Sequence, residues 1–143
     1  MKTSKTFKDL VVWRKADELF HLVCEDVKRW QNGRMHHAID LQLLDAVGSI
    51  SANIAEGYGR GSPREFEQFL RYSRGSAAES DNWLWKAQQQ GFITHERYAE
   101  YAQRLEELCR MLGSFIYELR KQPSRRPQLD SPIARQPDSS IAR

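Results

Sequence analysis

The sequence predicts an all-α protein, an antiparallel up-down-up-down four-helix bundle with helices at about 7–30, 35–58, 63–90 and 95–120. Three observations predict it. Apolar residues recur at three- and four-residue steps through four long stretches. No segment of useful length alternates with the period of a strand. The breaks between stretches are short, so consecutive helices fold back on one another.

In the first helix Val12, Ala16, Leu19, Val23, Val27 and Trp30 share a face. Gln31-Asn32-Gly33 ends it, Asn and Gly being suited to the left-handed conformation there. The second carries Ile39, Leu43, Ala46, Ile50 and Ile54, and Gly57, Gly59 and Gly61 then break it into a flexible corner. The third has the clearest start. Ser62 is the N-cap, Pro63 takes the first helical position and Glu65 completes a capping box. Phe66, Phe69, Leu70, Ser73, Ala77, Trp83 or Leu84, and Ala87 form its inward set, and Gly91 stops it. The fourth starts at the N-cap Thr94, with Ile93 and Tyr98 placed for a hydrophobic staple. Its stripe is Tyr98, Ala102, Leu105, Cys109, Leu112, Ile116 and Leu119.

The bundle domain covers 1–121, and 122–143 reads as a disordered basic tail with four of the five prolines. From Lys121 to Arg143, five basic residues face two acidic ones, which accounts for the whole net charge of +3. The body is neutral, which weakens the case for a wholly electrostatic nucleic-acid binder. Asp130-Ser-Pro-Ile-Ala-Arg135 and Asp138-Ser-Ser-Ile-Ala-Arg143 are near copies. The tail is either a tolerated extension or a basic tether for an acidic partner.

The opening MKTSKTFKDL has no apolar region of the signal-peptide kind, and no apolar run can span a bilayer. Cys24 and Cys109 form no CxxC pair and fall on apolar faces. They are expected as free buried thiols, and the location as cytoplasmic with no membrane partner.

More apolar surface is present than one bundle needs. Leu10, Val11, Val12 and Trp13 cover nearly a full helical turn, and Trp83 and Trp85, like Leu41 and Leu43, point to different sides. Leu10, Val11, Trp13, Leu41 and Trp85 are therefore expected at a homo-oligomer interface, unless bent packing or helix-end loops cover them. Small residues, Gly48, Ser49, Ser51 and Ala52 on the second helix and Ser73, Gly75, Ser76, Ala77 and Ala78 on the third, predict a close approach of those two helices.

The segment QLLDAVGSISANIAEGYGRG, Gln42 to Gly61, is followed by Ser62-Pro-Arg-Glu-Phe66 and Arg74-Gly-Ser-Ala-Ala-Glu79. Together with Phe7-Lys-Asp-Leu-Val-Val-Trp13 and Gly91-Phe-Ile93, it resembles the four-helix-bundle proteins of the 23S rRNA intervening-sequence family, from Phe7 to about Arg120. The resemblance implies a ring-like homopentamer and no enzyme activity. It extends more distantly to the accessory proteins of diversity-generating retroelements, which bind nucleic acid and a reverse transcriptase. One departure stands out. The family commonly has Arg-Arg just after the residue matching Leu43, where this chain has Leu44 and Asp45. A phosphate contact made by that pair would be lost here.

No constellation points to catalysis. Glu18-Leu-Phe-His21 is one Glu-x-x-His step where a di-iron bundle needs two, so neither metal nor cofactor is expected. Gly57-Tyr-Gly-Arg-Gly-Ser lacks the Gly-Lys-Ser/Thr ending of a phosphate loop. Asn53 and Glu56, one turn apart, are expected to form a structural polar clasp to the third helix, with Arg60 or Arg64 offsetting a carboxylate at an unfavourable helix end. Arg60, Arg64, Arg71 and Arg74, with Arg125 and Arg126 in the tail, are the candidate nucleic-acid-binding residues, against a salt-laced solvated face as the plainer reading. The expected function is a non-enzymatic, oligomeric bundle adapting RNA or a nucleoprotein. The alternative is a protein–protein assembly module without nucleic acid. A metal-dependent bundle enzyme is the weakest reading.

Overall fold

Residue by residue, the chain starts its first helix later than its apolar pattern implies. In the computed structural model, which describes residues 5–30 and 34–122, Phe7–Asp9 forms a single 3-10 turn. Thr6 accepts a hydrogen bond from the Lys8 backbone N–H at 3.1 Å, and the Asp9 carboxylate accepts from the backbone N–H of Thr6 and of Lys5 at 3.1 and 2.9 Å. This closed box satisfies the donors locally and competes with a longer helix. Leu10 is then extended, and α1 runs Val11–Arg29 rather than from 7. Lys28 and Arg29 sit in its last turn, where the helix dipole favours cations. The expected stop at Gln31-Asn32-Gly33 lies outside the described residues.

The other three helices match expectation within a residue or so: α2 Arg34–Gly59, α3 Pro63–Gln89 and α4 His95–Lys121. The Ser62 hydroxyl accepts from the Glu65 N–H at 3.1 Å and the Thr94 hydroxyl from the Arg97 N–H at 3.0 Å. Gly61 and Gly91, at φ 80 and 79, turn the chain at the two corners. No strand occurs among the described residues.

Contacts fix the directions. Lys15 meets Glu107, Glu18 meets Arg104 and Asp26 meets Arg97, so numbers rise on α1 as they fall on α4. Ser73 bonds the Ile50 carbonyl while Phe69 packs at Gly57, so α2 and α3 are antiparallel. Phe66 lies 5.0 Å from Phe115 and Tyr98 bonds Asp81, so α3 and α4 are too. The α2–α3 pairing is the most extensive and α1–α4 the least.

The core joins all four stripes. Val12, Ala16, Leu19 and Val23 from α1 meet Leu43, Val47, Ile50 and Ile54 from α2. On α3 the buried member of the Trp83–Leu84 pair is Leu84, while Phe66, Phe69 and Trp83 are half-buried. Val27 is half-buried as well. On α4 the buried line is Tyr101, Leu105, Leu108, Leu112 and Ile116, and Tyr98, Ala102, Cys109 and Leu119 flank it half-buried. That helix packs on α3 and on α1 together, so its most buried line falls between the two contacts, and Tyr101 fits there because its hydroxyl is satisfied. Cys24 and Cys109 are half-buried free thiols rather than fully buried ones, and burial raises both pKa values.

Gly57 is not part of a flexible corner. It is buried inside α2, where a β-carbon would meet Phe69 Cβ at 2.6 Å and Phe66 Cδ1 at 3.0 Å. Around it and around Ser73, α2 and α3 come together as the small residues predicted.

Candidate nucleic-acid interface

Arg60, Arg64, Arg71 and Arg74 do not form one patch. Arg60 follows α2 at the corner. Its guanidinium takes the Glu56 carboxylate at 2.8 Å and lies 5.1 Å from the centre of the Phe69 ring on α3. The hydrogen bond to Glu56 raises its pKa. The carboxylate at the unfavourable end of α2 is thereby offset, and the link to α3 runs through a cation–π contact. Asn53 takes no visible part in that link, since its amide donates to the Ser49 carbonyl at 2.9 Å within α2. The expected pair thus splits: Glu56 and Arg60 join the helices, and Asn53 stays local.

Arg64, exposed in the first turn of α3, has no acidic partner among the described residues. With Arg60, Glu65, Gln68, Phe69 and Tyr72 it lines an open groove of ≈ 270 Å³. Arg71 and Arg74 turn to the other flank. Arg71 lies 3.8 Å from Glu67, which also takes Arg120 of α4, and Arg74 lies near Cys109. Arg125 and Arg126 lie outside the described residues. Leu44 packs against the core and Asp45 is exposed, so a side chain that binds phosphate is absent at that site.

The apolar candidates divide similarly. Leu41 is 71% exposed, Val11 56% and Trp85 42%. Leu10 and Trp13 are half-buried against the chain's own core, with Trp13 edge-on to Phe7 at 5.2 Å. Sequence reasoning missed Tyr72 and Tyr117, both exposed, and an apolar groove of ≈ 550 Å³ along α4 lined by Glu107, Arg110, Met111, Ser114, Phe115 and Glu118. The late start of α1 was the missing signal for that groove. In the Lys15–Glu107 register, Val11 falls opposite Met111, and α4 continues for about three more turns without α1 beside it.

His21 of the Glu-x-x-His step lies 3.4 Å from Asp17, and Glu18 pairs with Arg104. Among the described residues no group of three or more His, Cys, Asp or Glu side chains is placed to hold a metal ion. No described helix is long and apolar enough to cross a membrane.

Fold and surface define an antiparallel four-helix bundle with exposed apolar faces and a corner groove where an aromatic pair lies beside Arg60 and Arg64. Residues 8–114 match the family described as 23S rRNA-intervening sequence protein, and the chain belongs to it. A crystal structure of a protein of unknown function from the S23 ribosomal protein family of Bacteroides thetaiotaomicron is similar, with a TM-score of 0.68 and 27% identity over 74% of this chain and 98% of that one. No curated protein matches the chain.

Proposed function

We propose that this protein is a non-enzymatic, self-assembling bundle that acts in the cytoplasm as an adaptor for RNA or a nucleoprotein, in a ring of five copies as its family resemblance implies. The observation that supports assembly most directly is the apolar groove on α4 that begins beside the first turn of α1 and continues past it, together with the exposed Val11 and Leu41. The support for nucleic acid is the corner groove, where Arg64 has no acidic partner among the described residues and the half-exposed Arg60 stays accessible. A ring repeats that modest site around its axis and raises its avidity.

Native mass spectrometry of the full chain, before and after ribonuclease treatment, tests both parts. An oligomer carrying nuclease-sensitive mass is the expected result. A monomer at micromolar concentration overturns the assembly, and Leu41→Glu or Val11→Glu should shift the distribution toward monomer. RNA affinity that is absent at low salt, or indifferent to salt, overturns the adaptor role. The replacement of an arginine pair by Leu44 and Asp45 favours a second reading, an assembly module for proteins alone. An oligomer that retains protein but no nucleic acid would establish it.

A further inference from the structure

The corner groove holds more than cations. Tyr72 is 49% exposed and does not belong to the core, so folding does not require it to be ordered. It is nevertheless fixed at two points. Its hydroxyl accepts from the Gln68 amide at 2.7 Å, and its ring meets Phe69 at 5.5 Å with an interplanar angle of 88°. Phe69 is held in turn by the Arg60 guanidinium on its ring and by the close approach of Gly57 to its β-carbon. An exposed aromatic held in place this way loses little side-chain entropy when a ligand stacks on it. Arg64, one turn before Gln68 on the same helix, supplies a cation without an acidic partner among the described residues.

We infer that this groove is a binding site for unpaired nucleotides of single-stranded RNA, with a base stacking on Tyr72 and the adjoining phosphate meeting Arg64. The inference rests on the RNA reading proposed above and narrows its ligand. Bases inside an A-form duplex are stacked on each other, and their faces are closed to a side chain. An aromatic platform beside cations therefore selects unpaired strand. Two features of the groove set the expected affinity. Glu65 lines the same groove and Glu56 pairs with Arg60, so the local charge is balanced. Stacking rather than Coulomb attraction then carries much of the binding, and a single copy binds weakly.

The test is fluorescence anisotropy of the full chain at low salt. One probe is a labelled, unstructured RNA of about ten nucleotides, and the other is the same strand annealed to its complement. The single strand should bind more tightly than the duplex. Tyr72→Leu should weaken single-strand binding by about 5- to 100-fold and leave duplex binding unchanged, while Tyr72→Phe, which keeps the ring, should retain most of the affinity. Arg64→Gln should weaken both. Equal affinity for the two probes, or an unaltered affinity in Tyr72→Leu, overturns the stacking site while the RNA reading stands. Binding of neither probe overturns both. A Tyr72→Leu variant that changes oligomeric state but not RNA affinity assigns the residue to an interface between copies and overturns the inference.

Discussion

Between α2 and α3 the backbones meet through small residues; between α1 and α4 long polar side chains span the gap. On the first seam Ser73 donates to the Ile50 carbonyl, Ala77 is buried, and Gly57 admits Phe69 against the backbone. On the second, Lys15 reaches Glu107 at 2.7 Å, Arg97 reaches Asp26 at 2.7 Å, and Tyr101 donates to Asp26 and to the Leu22 carbonyl. The difference teaches where tolerance lies. A close backbone contact has no room for an added atom, whereas the outer ion pairs of the second seam, Glu18–Arg104 among them, exchange with water at little cost and only the half-buried contacts of Asp26 resist change.

The largest effect should come from Gly57→Val. The added side chain has to displace the root of Phe69, and the variant should lose about 3 kcal/mol, at the upper end for overpacking, as read by urea unfolding. A variant of wild-type stability would show that α2 and α3 separate more easily than the structure implies. Tyr101→Phe comes next. It removes a buried hydrogen bond to a carboxylate and should cost about 2 kcal/mol. The same contact predicts an alkaline weakness. Burial and Asp26 raise the Tyr101 pKa, and burial and Asp81 push Tyr98 up to about 12. The native state therefore holds these protons more tightly than the unfolded chain. Stability is fully present below about pH 10 and falls as pH rises toward 12. A melting temperature that stays flat between pH 9 and 11.5 would remove the electrostatic account of these two tyrosine contacts, one to α1 and one to α3, and Tyr101→Phe should reduce the slope.

Ser73→Ala should cost about 1 kcal/mol. The Ile50 carbonyl keeps its helical environment and the lost hydroxyl leaves little space, so a thermal melt should move down by about 4 °C. The smallest effect belongs to Arg104→Gln. Its pair with Glu18 is 3.6 Å long and largely exposed, and its melting curve should overlay that of the unaltered protein. A large loss there would show that the polar seam acts as a network rather than as separate pairs, which a double-mutant cycle with Asp26→Asn would measure.

The sequence carried the four helices because each one is periodic over more than five turns and the caps at Ser62 and Thr94 are local chemistry. It carried less of the candidate site. Arg60 and Arg64 were legible as corner cations, and helical spacing placed Arg71 but not Arg74 on their side; nothing in the spacing separated Arg71, because the dividing feature is Glu67 and its second partner Arg120, far away in the chain. Tyr72 was not singled out, since an exposed tyrosine on a helix carries no pattern of its own. What fixes it is Phe69, whose place depends in turn on Gly57 in another helix.

Periodicity, capping residues and glycine corners by themselves determined that this chain makes four amphipathic helices and in which order they turn back. Only the tertiary structure decided which line of α4 is most buried, that Gly57 is a packing contact rather than a hinge, and that α1 stops short and leaves the Met111–Phe115 surface open. The physical reason is the range of the interactions. Helix formation and its caps depend on residues within about four positions of each other, whereas burial and close approach depend on side chains that meet only after the helices have packed.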